Sequence, residues 1–175
     1  MKKILLTFAI TIQALICLSQ DIKLNGGSVS LPAGHQEIKK EDAVKHAQQK
    51  FKGNKIANDI AANTNANHTY KIGDVLIMIN SFEKPVEEGH FAKLKESNDH
   101  MYRGDSTYQS KLTRVDNNII LTVNSRSGGI GLYSIFANNP NRTKIFTALI
   151  EYNPADKNKV DSIAEHLINH LRFKD

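Results

Sequence analysis

Cysteine, tryptophan and proline are scarce in this chain, which has one cysteine, no tryptophan and four prolines among 175 residues. The cysteine, Cys17, lies in an N-terminal apolar segment that we interpret as removable. Without it, the chain can form no disulfide, offers no thiol nucleophile and provides no thiolate ligand to a metal. The few prolines also give no proline-rich linker between domains. The remaining chain must therefore be stabilised by packing alone.

The N-terminus has the pattern of an export signal. Lys2 and Lys3 provide a positive start, and the apolar stretch that follows, over residues 4–18, is too short to span a bilayer comfortably. We therefore predict a cleaved signal peptide at 1–19 and a mature chain at 20–175, without a transmembrane anchor. Such a protein would be periplasmic or extracellular, and the form of the signal is typical of bacteria.

The N-terminal segment could be processed in two ways, by cleavage after Ser19 or by lipidation at Cys17. Small residues precede the predicted cleavage point, with Ser19 directly before it and Cys17 two positions earlier. The alternative is a lipoprotein modified at Cys17. A lipobox needs a small residue just before its cysteine, and Ile16 occupies that position. The sequence thus favours cleavage after Ser19 over lipidation.

The charge distribution argues against a nucleic-acid partner. Loss of Lys2 and Lys3 with the signal reduces 23 basic residues to 21 against 18 acidic ones, so the net charge falls from +5 to +3. Nucleic-acid binding requires a concentrated basic stripe, and these charges are spread along the chain. Lysines do gather around the first predicted helix, where they could meet an acidic partner or an anionic lipid surface, but the sequence favours an ordinary solvated helix face. They are Lys39, Lys40, Lys45, Lys50, Lys52 and Lys55.

Apolar periodicity predicts three helices. They cover residues 41–51, residues 85–101 with Pro85 in the first turn, and a long C-terminal stretch that starts near residue 153. The last has the clearest stripe, formed by Val160, Ile163, Ala164, Leu167 and Leu171. The asparagine-rich segment 53–68 lacks a clean period, so we predict a loop with at most one helical turn, and the most mobile part of the chain.

Strand patterns occupy most of the rest. A short strand within residues 28–34 closes in a Pro-x-Gly turn, and a strand within 70–81 carries an apolar run that needs cover on both faces. Four strands then follow with short separators, which predicts an antiparallel meander over residues 106–115, 119–124, 130–137 and 144–152. The sequence therefore predicts a single α+β domain, an antiparallel sheet covered by helices on both faces with a long C-terminal helix.

Three features together resemble the Mog1/PsbP-like fold, including the DcrB-type bacterial envelope proteins. They are the early Gly-Ser-Val-Ser-Leu-Pro-Ala-Gly strand and turn at 27–34, the meander over 106–152, and the terminal helix ending in His-Leu-Arg-Phe at 170–173. The resemblance is one of layout over most of the mature chain. It implies a binding or assembly factor, and it carries no shared site motif from which functional residues could be transferred.

The strongest metal-site pattern is the pair His166 and His170. An i, i+4 spacing on a helix can present two imidazoles to one ion. A zincin would need glutamate directly after the first histidine, where the sequence has Leu167. The pair supports the alternative hypothesis of a small exported metal-dependent hydrolase, although the ordinary boundary of an amphipathic helix also explains it.

Other catalytic patterns have simpler explanations. Ser106 follows Gly-Asp as in GDS-type esterases, but it precedes a meander rather than following the first strand of a parallel sheet. The glycines at 128–131 stand between two strands and predict a hairpin turn rather than a phosphate loop. Glu87 and Glu88 fit the first turn of a helix.

These observations favour one function. We predict an exported, non-catalytic binding or assembly module without a catalytic residue or cofactor, whose partner is another envelope or secreted protein. Its contact surface would be an exposed sheet edge or the polar segment 53–68. Metal binding at His166 and His170 stays open as the alternative.

Overall fold

The computed structural model describes residues 21–174, so the predicted signal at 1–19 lies outside the described residues. The strands are β1 (Asp21–Leu24), β2 (Gly27–Ser30), β3 (Gln36–Glu37), β4 (His68–Ile72), β5 (Val75–Glu83), β6 (Gln109–Val115), β7 (Asn118–Ser127), β8 (Ile130–Asn138), β9 (Lys144–Tyr152) and β10 (Arg172–Phe173). The helices are α1 (Lys40–Lys50), α2 (Lys55–Asn63), α3 (His90–Met101) and α4 (Lys157–Asn169), and a 3₁₀ turn at Pro154–Asp156 leads into α4.

Seven antiparallel strands form the main sheet, in the order β3-β4-β5-β9-β8-β7-β6. The predicted meander is confirmed as β6 to β9, and its last strand pairs with β5. The predicted hairpin turn is confirmed at Gly128 and Gly129, which both have positive φ in a two-residue connection. A second sheet, β1-β2-β10, joins the start of the described chain to its end.

Both faces of the main sheet are covered, as the apolar patterns predicted. On one face, Ile77 and Ile150 share a core with Val160 and Leu167 of α4 and with Val29 of the small sheet. The other face is covered in two places. Near β5, alanines of α1 and α2 pack on Leu76 and Met78, and near β7, Phe91 of α3 packs on Leu121 and Val123. The α+β class and the long C-terminal helix are confirmed. The helix ends at Asn169, however, and Arg172–Phe173, which the sequence placed at its end, pair with β2 as β10.

The loop prediction for residues 53–68 was wrong, because nine of these residues form α2. Asn54 caps the helix with its side-chain oxygen, which accepts hydrogen bonds from the backbone N–H groups of Ile56 and Ala57 at 2.9 and 3.2 Å. Ala57 and Ala61 are buried against the sheet. Ile60 packs beside them, so the helix has a short apolar stripe that the surrounding asparagines obscured.

Other elements also differ from their predicted bounds. The helix predicted from Pro85 begins at His90, because Gly89 adopts a left-handed conformation and Val86 N donates to the carbonyl of Arg142. The strand predicted over 106–115 begins at Gln109. The region 70–81 is a hairpin of two strands, β4 and β5, rather than one strand.

Candidate binding surface

The first candidate surface lies where α3 meets β6. Phe91 anchors the helix over β7, and Leu94 and Tyr108 pack against the same small core. Among the described residues α3 packs mainly on β6 and β7, and Phe91 also lies near Phe136 of β8, with 6.3 Å between ring centroids. The helix therefore covers this end of the sheet and leaves the centre of that face to half-buried side chains. The flank of α3 therefore lies beside the last strand of the main sheet.

Asp99 holds this helix to the strand beneath it. Its Oδ1 accepts hydrogen bonds from the Tyr108 hydroxyl at 2.8 Å and the Ser110 hydroxyl at 2.5 Å, and Lys95 Nζ lies 2.5 Å from Oδ2. These bonds stabilise the carboxylate, led by the one from Lys95, and lower the pKa of Asp99 to about 2. The interaction joins α3 to the segment 108–110 at one partly exposed carboxylate.

We expect Asp99→Ala to loosen α3. Hydrogen exchange of its backbone amides should become faster, because the links to Lys95, Tyr108 and Ser110 are lost. Since the pKa is lowered on folding, the wild-type attachment should persist above the unfolded value of 3.8 and weaken as the pH falls towards about 2. Asp161→Ala is the matched control, because Asp161 pairs with a lysine one helical turn away on α4. Unchanged α3 exchange in Asp99→Ala would contradict this role.

A groove of about 790 Å³ runs along this flank of α3. Its floor includes Leu112 of β6, an aliphatic side chain that is 37 % exposed. The helix contributes a mixed polar lining formed by Ala92, Lys93, Lys95, Glu96, Ser97, Asp99, His100 and Arg103. β6 is the last strand of the sheet, so the groove lies beside an open strand edge. Leu112 provides an apolar contact there, and Lys93, Lys95 and Arg103 provide positive charge.

A second, smaller groove of about 280 Å³ lies at the opposite end of the sheet, between β1 and the β3–β4 pair. His68 Nδ1 lies 3.3 Å from a Glu37 carboxylate oxygen, and the His35 ring meets Tyr70 edge-on with 5.7 Å between centroids. Burial, followed by the charge of Glu37, raises the pKa of Tyr70 to about 12. The Tyr70 hydroxyl therefore stays protonated, and the groove is suited to hydrogen bonding.

The structure places the predicted metal ligands, His166 and His170, one turn apart at the end of α4. Their rings stack with 4.1 Å between centroids, and His170 Nδ1 donates to the His166 carbonyl oxygen at 2.9 Å. His166 Nε2 is buried and has no hydrogen-bond partner among residues 21–174. Burial and, after it, the neighbouring His170 lower the pKa of His166. Metal binding by this pair stays a prediction, and stacking alone does not favour the hydrolase alternative.

Ligand groups for a metal are not assembled elsewhere among the described residues. Between residues 21 and 174, no group of three or more histidine, cysteine, aspartate or glutamate side chains is arranged to hold an ion. Within the same range, no helix combines the length and apolar character needed to cross a membrane.

The other predicted candidates lie apart from one another. Ser106 is exposed in the turn between α3 and β6. Glu87 and Glu88 make exposed ion pairs with Lys93 at 3.7 Å and Arg142 at 2.9 Å, outside the helix in which they were predicted. The lysines around α1 are solvent-facing, and Lys50 pairs with an aspartate at 2.9 Å. These residues do not form a common site.

Sequence reasoning missed Asp99 and Glu151. The partners of Asp99 lie nine and eleven residues further along the chain, beyond a turn, so no local motif marks it. Glu151 is fully buried, and neither carboxylate oxygen has a hydrogen-bond partner in the described structure. A charged residue near the end of an otherwise apolar strand was the available signal for Glu151.

Comparison with known proteins identifies the fold. No protein-family model and no curated protein matches the sequence. Among solved structures, cyanobacterial PsbP (CyanoP) from Synechocystis sp. PCC 6803 matches with a TM-score of 0.53, covering 90 % of this chain and 93 % of that one. The chain has a PsbP-like fold. At 11 % sequence identity, the match defines the shared PsbP-like architecture and no residue roles, and the DcrB-type resemblance stays a prediction.

Proposed function

We propose that this protein is an exported, non-catalytic binding or assembly module for another envelope or secreted protein. We further propose that its contact surface is the groove between α3 and β6. Export is inferred from the signal-like sequence at 1–19. The binding role is supported by the resemblance in layout to a fold whose members act as binding or assembly factors.

The open groove beside β6 is the observation that carries this proposal. Leu112 is one of four large apolar side chains exposed by more than a third among the described residues, and it lies in a groove that a peptide segment could fill. Protein interfaces commonly centre on an apolar contact surrounded by polar groups. Lys93 and Arg103 provide such a polar surround.

Affinity capture with paired variants tests the proposal. The mature chain 20–175 would be used to capture partners from envelope and medium fractions, with mass-spectrometric identification. We expect one saturable protein partner whose capture is lost with Leu112→Asp and retained with Ile56→Asp. Ile56 is a matched control because it is also aliphatic and 37 % exposed, but it lies on α2. Equal capture by both variants, or a turnover activity abolished by one polar substitution, would overturn the proposal.

A further inference from the structure

The longer of the two edge strands of the main sheet is β6, since β3 at the other edge has only two residues. β6 is the last strand in the sheet order and is seven residues long. Its pairing with β7 uses one side of the strand, and no other described strand lies against its outer side. Backbone N–H and C=O groups along such an edge are available to another extended chain.

Side chains of β6 alternate between the two faces of the sheet. Leu112 lies opposite Leu121, so it is on the face covered by α3, and Arg114 follows on the same face. Lys111 lies opposite Thr122 and belongs to the other face. A strand added at this edge would therefore meet one apolar side chain flanked by cations.

The charge around this edge is predominantly positive. Among the described residues, Arg103, Lys111 and Arg114 make no salt bridge, whereas the acid Asp99 is already bound to Lys95. Only Glu96 adds another negative charge to the lining of the groove. A second copy of this chain paired through the same edge would bring like charges together, which is unfavourable across strands. Charge complementarity therefore favours an acidic partner.

We propose that β6 accepts an extended, acidic segment of a partner protein as an eighth strand of the main sheet. This inference rests on the proposed function and specifies how the groove is occupied. Backbone hydrogen bonds along β6 hold the segment, an apolar side chain contacts Leu112, and acidic side chains face Lys111 and Arg114. The flank of α3 covers the added strand on one side.

Peptide selection on the mature chain tests this proposal. Random peptides slightly longer than β6 would be displayed on phage, and enriched sequences would be synthesised for affinity measurement. We expect enriched peptides to lack proline and to carry an apolar residue with one acidic residue directly beside it and a second acidic residue two positions away on its other side, which matches the spacing of Lys111, Leu112 and Arg114 along β6. Enrichment of basic or proline-rich peptides, or no enrichment, would overturn the proposal.

Paired charge variants locate the binding site. The double variant Lys111→Glu with Arg114→Glu should weaken peptide binding at least about tenfold, since it places like charges opposite the acidic side chains. Lys45→Glu makes the same kind of change on α1, where the lysine side chain is 69 % exposed, and should leave affinity unchanged. Equal effects of the β6 and α1 variants would contradict binding at this edge.

Backbone methylation of the selected peptide separates strand addition from simple charge attraction. N-methylation of every second amide removes donors on one side of an extended chain. One of the two alternating methylation patterns should reduce affinity about tenfold or more, and the other should not. If both patterns bind like the parent peptide while Leu112→Asp still abolishes partner capture, the proposed function stands and strand addition fails. If partner capture is insensitive to Leu112→Asp, the proposed function itself fails.

Discussion

Glu151→Gln is expected to remove most of the pH dependence of unfolding between about pH 5 and pH 8. It is also expected to raise the unfolding free energy at pH 7 by about 1–2 kcal/mol, because the buried carboxylate's cost of about 3 kcal/mol is removed while the glutamine amide is left without partners. Glu151 is fully buried between Leu76 and Leu132 on the neighbouring strands, and its carboxylate oxygens have no hydrogen-bond partner in the described structure. Burial raises the pKa of this carboxyl from 4.5 to about 8.

The direction of the effect follows from proton binding. Above pH 4.5 the unfolded chain releases the proton of Glu151, whereas the folded chain retains it up to about pH 8. Wild-type stability should therefore fall by about 1.4 kcal/mol for each pH unit within this interval. A glutamine of nearly the same shape does not titrate, so the variant should lose this slope.

Urea unfolding at several pH values measures the slope directly. Glu165→Gln is the matched control because Glu165 is exposed on α4, and it should retain the wild-type slope. A wild-type slope that persists in Glu151→Gln would show that this carboxyl ionises freely in the folded state. Such a result would contradict its burial without a partner.

Gly131→Ala is expected to destabilise the protein by about 3 kcal/mol, through overpacking and loss of a buried hydrogen bond. A Cβ atom at this position would lie 2.3 Å from the ring of Tyr152, which stands opposite Gly131 in the β8–β9 pair. Tyr152 is buried, and its hydroxyl donates to Asn124 Oδ1 at 2.7 Å. The added methyl group must displace this ring.

A double-mutant cycle measured by chemical denaturation identifies the cause. Tyr152→Leu removes the ring that the alanine methyl group would strike. The double variant should therefore be less destabilised than the sum of the two single variants. Additive effects of the two substitutions would contradict a clash between the alanine at 131 and the tyrosine ring.

The sequence contained enough to predict the four-stranded meander and the long terminal helix, but not β3, β4 or the second sheet. The meander can be predicted from alternating apolar residues and short polar turns, because both the two-residue period of a strand and the residue types of a hairpin turn are visible within a few neighbouring residues. The apolar run at residues 75–79 correctly indicated that both faces of this strand are covered by other elements. α2 was missed because it is short and its cap is an asparagine. The helical spacing of Ile56, Ala57, Ile60 and Ala61 is interrupted by asparagines, which are typical of loops.

Sites were less predictable, since they depend on contacts between distant segments. Asp99 bonds to Ser110 only because α3 packs back onto β6. β6 is an open edge because β5 pairs with β9, at the other end of the meander, and no strand pairs with the outer side of β6. Periodicity cannot indicate either arrangement. The His166–His170 pair was found from spacing, but spacing does not specify that the two rings stack.

Site-specific photo-crosslinking tests the central claim most directly, because it shows which surface a partner touches. A photoreactive residue would replace Leu112 in one sample and the equally exposed Ile56 in another, within the full mature chain in its native compartment. We expect a discrete protein adduct from position 112, with an acidic segment of the partner at the linkage, and none from position 56. Adducts of equal yield from both positions, or from position 56 alone, would contradict binding in the groove between α3 and β6.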